Sequence, residues 1–114
     1  IIKEICCLED VVKDKELKYN TLIEEDGNNI SDGQRQRISL ARSLHNFDVL
    51  VIDEALNATD INLERKILKQ LLKHFKNKII IFITHRLDNL DLFDRYIKME
   101  RGEIVLDETY NEKY

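Results

Sequence analysis

Two runs of apolar residues fix the reading of this chain. Val49-Leu50-Val51-Ile52 is followed at once by Asp53-Glu54, and Ile79-Ile80-Ile81-Phe82-Ile83 is followed by Thr84-His85-Arg86-Leu87. Short uninterrupted apolar runs of this kind read as buried parallel strands. Between them Leu63, Ile67, Leu71 and Phe75 recur every four residues, with Leu68 and Leu72 widening the stripe, which predicts an amphipathic helix over 61–76. Asp60 is a good N-cap for that helix. A second helix is predicted to start at Ser31 and run to about residue 44. Tyr96-Ile97-Lys98-Met99 and Ile104-Val105-Leu106, joined by Arg101-Gly102, read as a hairpin. Ile2, Ile5, Cys6, Val12 and Leu17 among charges suggest a short helix or two over residues 1–18, and the Asn/Asp/Gly-rich stretch 19–29 reads as a loop. Strand, helix, strand in that order implies an α/β fold with a parallel sheet.

Composition narrows the function classes. With 114 residues, 43% of them apolar, the chain can form one core. A net charge of −4 gives no basic footprint for nucleic acid. No apolar run approaches the roughly 20 residues needed to span a bilayer. Cys6 and Cys7 are adjacent, a spacing unsuited to an ordinary disulfide, and no second pair stands ready to complete a metal site, which fits a reducing cytosol. His45 and His74 read as surface or structural residues. Zero proline and three glycines imply that Gly27, Gly33 and Gly102 each answer a backbone requirement.

The candidate chemistry lies at strand ends and one helix start. Ligands of open α/β sheets collect beyond the carboxyl edges of the strands. Asp53, Glu54 and His85 all fall there, so paired acids can meet Mg²⁺ and a phosphate, and an imidazole can hydrogen-bond a terminal phosphate. Ser31 with Gln34 forms a capping box, and Gly33 inside the first turn leaves room for an anion to approach the helix N–H groups.

In that context Ile30-Ser31-Asp32-Gly33-Gln34-Arg35-Gln36-Arg37 resembles the signature sequence, commonly Leu-Ser-Gly-Gly-Gln, of the ATP-binding domains of ABC transporters. Asp53-Glu54 then resembles the Walker B motif and Thr84-His85-Arg86-Leu87 the switch-histidine segment of exporters. Ala58 and Asp60 match the family's Ser-Ala-Leu-Asp loop, whereas Asn57 and Thr59 depart from it. Tyr19, Thr21, Glu25 and Gly27 fall in register with the segment that precedes the signature in exporters.

The resemblance implies roles. Asp53 would hold Mg²⁺ through water, Glu54 would orient the attacking water, and His85 would contact the terminal phosphate. Ser31, Gly33 and Gln34 would bind ATP phosphate in trans, Asp60 would stand in the loop that meets the second ATP-binding domain of a dimer, and Glu25 would face the transmembrane domains. Asp32 puts a carboxylate where the commonest form has glycine, close to that phosphate, and could weaken the site.

The cofactors implied are ATP and Mg²⁺, the location is the cytoplasmic face of the cell membrane, and no nucleic acid is expected. No Gly-Lys pair occurs in the sequence, so the phosphate cradle G-x-x-x-x-G-K-[ST] is missing. The expected fold is therefore the C-terminal fragment of a P-loop NTPase domain: a partial helical subdomain over about 1–45, then, over about 46–114, a partial, mostly parallel sheet with helices and a terminal β-hairpin. Such a fragment is expected to be inactive alone. Within a whole domain it would serve an export ATPase, with peptide or bacteriocin export as a refinement. Two other readings stand beside this one: a structural-maintenance or repair ATPase, and a truncated fragment that only pairs with other ATPase domains.

Overall fold

A computed structural model of the chain describes residues 1–12 and 31–110. Tyr19, Thr21, Glu25, Gly27 and Ile30, which carry part of the expected motif register, lie outside the described residues. In chain order the elements are α1 (Ile2–Ile5), α2 (Glu9–Val12), α3 (Asp32–Ser43), β1 (Val49–Asp53), α4 (Ile61–His74), β2 (Ile79–Ile83), a 3₁₀ turn (Leu90–Leu92), β3 (Arg95–Glu100) and β4 (Glu103–Thr109).

α3 and α4 begin where side chains can satisfy free N–H groups. Ser31 Oγ accepts from the Gln34 N–H at 3.1 Å while Gln34 Oε1 accepts from the Ser31 N–H at 2.9 Å, so the capping box is complete. Asp60 Oδ1 accepts from the Leu63 N–H at 2.9 Å and starts α4 in the same way. α4 ends at His74, two residues short of the expected span 61–76, with Phe75 closing it by donating its N–H to the Leu71 carbonyl.

β1 and β2 pair in parallel with Val49 opposite Ile79 and Asp53 opposite Ile83. That register aligns Leu50 with Ile80 and Ile52 with Phe82 on one face, and this face meets Ile67, Leu68 and Leu71 of α4 in a core that also takes Leu40 and Ala41 of α3 and Leu44, which caps it. The strands differ from expectation on the other face. Val51 is 55% exposed and Ile81 46% exposed, so each strand alternates instead of being buried throughout. The reason is layering: among the described residues the helices gather on one side of this pair, and a continuous apolar run needs cover on both.

β3 and β4 form the antiparallel hairpin, turned by Arg101 (φ 51°) and Gly102 (φ 78°). Two successive residues in the left-handed region are what a two-residue hairpin loop demands, and this meets the requirement read at Gly102.

α1 and α2 are joined through Cys7, whose carbonyl accepts from Arg37 Nη1 at 2.5 Å. Arg37 therefore leaves the basic surface of α3 and lies buried. Cys6, beside it, is fully buried. Its thiol is pushed from 9.0 up to about 12, by burial first and Cys7 second, against the pull of Arg37. A thiol that stays neutral when folded but ionises when unfolded contributes stability that is whole below 9.0 and is lost as pH rises toward 12. The stability lost on Cys6→Ala should therefore shrink by about 1.4 kcal/mol per pH unit above 9.0. Denaturant unfolding of both proteins at neutral and strongly alkaline pH measures it, and a pH-independent difference would refute it.

Candidate functional site

The parallel register determines what stands at the sheet edge. Because Asp53 lies opposite Ile83, the next residue of β1 and the second residue past β2 project from neighbouring strand ends. Glu54 continues the ladder by donating its N–H to the Ile83 carbonyl at 2.8 Å. Its Oε1 lies 2.7 Å from Nε2 of His85, whose side chain is 92% exposed. Glu54 takes φ 54°, a left-handed conformation that costs a non-glycine residue about 1–2 kcal/mol. Asp53 is exposed beside it.

Ser31 and Gln34 are brought together, each bonding the other in the capping box. Asp32 stands in the first turn of α3 and pairs with Arg35 at 3.2 Å, its carboxylate largely in solvent. Gly33 has a close neighbour within its own chain. A Cβ built there would come within 2.8 Å of the Ala58 carbonyl oxygen, a backbone atom that cannot turn aside. The glycine thus lets α3 approach the 55–60 loop of its own chain. Asp60 is in that loop, with its carboxylate engaged as the α4 cap.

The feature that sequence reasoning passed over is Arg86. Its guanidinium pairs with Glu64 of α4, and Nη1 donates to the carbonyls of Leu56 (3.3 Å), Asn57 (3.0 Å) and Thr59 (2.7 Å). Glu64 is 1% exposed. Burial pushes its carboxyl above 4.5, while Arg86 and then a hydrogen bond from Asn89 pull the other way. The spacing carried the signal: Glu64 precedes Ile67, Leu68 and Leu71 by three, four and seven residues, so it faces inward with them. Asn89 is buried nearby, with Oδ1 accepting from Arg65 Nη1 at 3.1 Å and Nδ2 donating to the Ile61 carbonyl at 3.5 Å. Arg65 also forms a bidentate pair with Asp91 at 2.8 and 2.6 Å, fastening α4 to the segment after His85.

Among the described residues no group of three or more His, Cys, Asp or Glu is placed to hold a metal ion, and no helix is long and apolar enough to cross a membrane.

Comparison with known proteins adds the family. No family model matches the chain. It is 41% identical over 104 residues to the leukotoxin translocation ATP-binding protein LktB of a Pasteurella haemolytica-like species (strain 5943B), an alignment covering 90% of this chain and 15% of that protein. It is 37% identical over 107 residues to the lactococcin-G-processing and transport ATP-binding protein LagD of Lactococcus lactis subsp. lactis, covering 93% of this chain and 15% of that one. With the alpha-hemolysin translocation ATP-binding protein HlyB of Escherichia coli it shares 41% over 97 residues, or 84% of this chain and 14% of HlyB. Among solved structures, a bacterial Atm1-family ABC exporter with ATP bound matches 96% of this chain and 19% of its own, with a TM-score of 0.84 and 26% identity. The chain thus spans about one seventh of the length of these relatives.

Fold and sequence together define a mixed α/β segment of an ATP-binding protein, with a parallel pair and a terminal hairpin. The family is that of the ABC exporters, and the chain belongs to it as part of the ATP-binding domain.

Arg86→Met would leave Glu64 buried without its counterion and take a donor from the Asn57 and Thr59 carbonyls, and should destabilise the protein by about 3–5 kcal/mol. Adding Glu64→Leu should recover most of that loss in denaturant unfolding, because the uncompensated carboxylate is removed. A double variant as unstable as Arg86→Met alone would refute the pairing as the cause. Since the folded carboxyl titrates above 4.5, the stability of wild type relative to Glu64→Gln should fall as pH rises through 4.5 and beyond.

Proposed function

We propose that this chain is the part of an ABC exporter's ATP-hydrolysing domain that positions the attacking water and closes on the nucleotide of a second such domain. The contact between Glu54 and His85, 2.7 Å apart at adjacent parallel strand ends, is the observation that carries this reading.

A carboxylate held there can accept a hydrogen bond from a water and aim it at a terminal phosphate, with the imidazole one bond away to hydrogen-bond that phosphate. Asp53 would hold Mg²⁺ through water. One carboxylate suits that role, because Mg²⁺ keeps several waters and takes its remaining ligands from phosphate oxygens. When bound, the ion neutralises charge on those phosphates.

Ser31, Gly33 and Gln34 at the start of α3 would receive the phosphates of the partner's ATP, drawn by the helix N–H groups and dipole. Asp60 would stand at the surface where the two domains meet, and residues 1–45, with the helices, would form the subdomain facing the transmembrane part through the Glu25 loop. The names of its relatives, which concern leukotoxin, lactococcin G and alpha-hemolysin, support a toxin or bacteriocin as the cargo class, and the domain would act at the cytoplasmic face of the membrane. Since these 114 residues contain no phosphate cradle, they should not turn over ATP by themselves.

In the full-length protein, Glu54→Gln should keep ATP affinity within about threefold and lower kcat by about 100-fold or more, so that ATP-bound dimer accumulates. Single-turnover hydrolysis with nucleotide-trapping measurements checks this. Turnover at the wild-type rate would remove Glu54 from the mechanism.

A further inference from the structure

The 55–60 loop links the start of α3 to the Glu54–His85 edge, and it is held from both sides. On one side Arg86, next to His85, takes the carbonyls of Leu56, Asn57 and Thr59. On the other, a single amide of α3 reads two consecutive loop residues: Gln36 Nε2 donates to Asn57 Oδ1 at 2.6 Å, and Gln36 Oε1 accepts from the Ala58 N–H at 2.9 Å. Gln36 lies three residues beyond Gly33 and so on the same helix face, where the absent Cβ of Gly33 admits the Ala58 carbonyl. Asn57, a departure from the loop pattern of the family, thus has a specific partner within its own chain.

We propose that Gln36 and Asn57 form a positioning latch: they fix the 55–60 loop to the helix that starts at Ser31, and so set the geometry in which Glu54 and His85 act. The idea rests on the ATPase reading above. Two bonds from one planar amide define both the distance and the rotation of α3 relative to the loop, which one bond could not. Displacing α3 would pull on Ala58, and Ala58 is four residues from Glu54. Gln36 touches no reacting atom; it acts through the loop.

The chemistry of the pair supplies the test in the full-length protein. Asn57→Asp keeps the acceptor that Gln36 donates to. Gln36→Glu keeps the acceptor for the Ala58 N–H, and Asn57 can rotate its amide to donate to the new carboxylate. Each single variant should therefore lose no more than about threefold in kcat. Combined, Gln36→Glu and Asn57→Asp set two carboxylates face to face with no donor between them, and kcat should fall by about tenfold or more while KM for ATP stays within about threefold. A split of this kind separates positioning from loss of fold.

Hydrogen exchange over residues 55–60, measured on the same proteins without nucleotide, should be at least about tenfold faster in the double variant than in wild type or either single variant. If exchange in the double variant matches wild type, the latch does not exist, whatever the ATPase assay gives. If exchange accelerates but kcat equals the product of the single effects, the latch exists without setting catalysis and the proposal fails. Absence of ATP turnover in the wild-type protein would instead overturn the ATPase reading, and the coupling with it.

Discussion

A carboxylate in the first turn of α4, on its apolar face, is the constraint that most of this structure answers. Glu64 projects from α4 into the same core as Ile67, Leu68 and Leu71, where an unpaired charge would cost several kcal/mol. Arg86 supplies the counter-charge, and a guanidinium has more donors than one carboxylate can use. Its Nη1 serves the carbonyls of Leu56, Asn57 and Thr59 in an irregular loop that has no strand ladder to satisfy them. The path of the loop after Glu54 and the position of the chain after His85 are therefore set together. Pairing Glu64 with an arginine carried by the His85 segment makes the Glu54–His85 edge and the hydrophobic core parts of one object.

That arrangement also explains why much of the fold was legible in the chain and some of it was not. Caps are local: Ser31 with Gln34, and Asp60 before Leu63, need only residues three apart, and both form. The positive φ at Gly102 belongs to a two-residue turn and is equally local. The meeting of Glu54 with His85 needed one further assumption, parallel pairing, which the helix between the strands supports.

What escaped were facts about neighbours far along the sequence. Apolar runs do not reveal whether both faces will be covered, so Val51 and Ile81 could not be told from Leu50 and Phe82. The approach of Gly33 to the Ala58 carbonyl joins residues 25 positions apart, and nothing local marks it. The Gln36 amide bonds Asn57 and Ala58, far along the chain, and nothing local marks it. Glu64 was the one long-range feature with a local trace, its inward helical spacing.

The conformation of Glu54 ties these threads to the chemistry. In β1 the even residues Leu50 and Ile52 face the core while Val49 and Val51 face outward. Regular alternation would therefore turn residue 54 toward the core, where a carboxylate would again need a buried partner. A φ of 54° rotates Cβ about the N–Cα bond and breaks the alternation. The side chain then meets His85, which falls in the odd, outward series of Ile79, Ile81 and Ile83. A glycine could take this φ without strain, but it would bring no side chain to the edge. The strain of about 1–2 kcal/mol is opposed by the Glu54 N–H bond to the Ile83 carbonyl and by the imidazole contact. A strained non-glycine residue whose carboxylate is aimed at a histidine beyond two parallel strand ends is a stronger indication of chemistry than either residue type alone. It distinguishes Glu54 from Asp53, whose side chain follows the regular outward alternation of its strand.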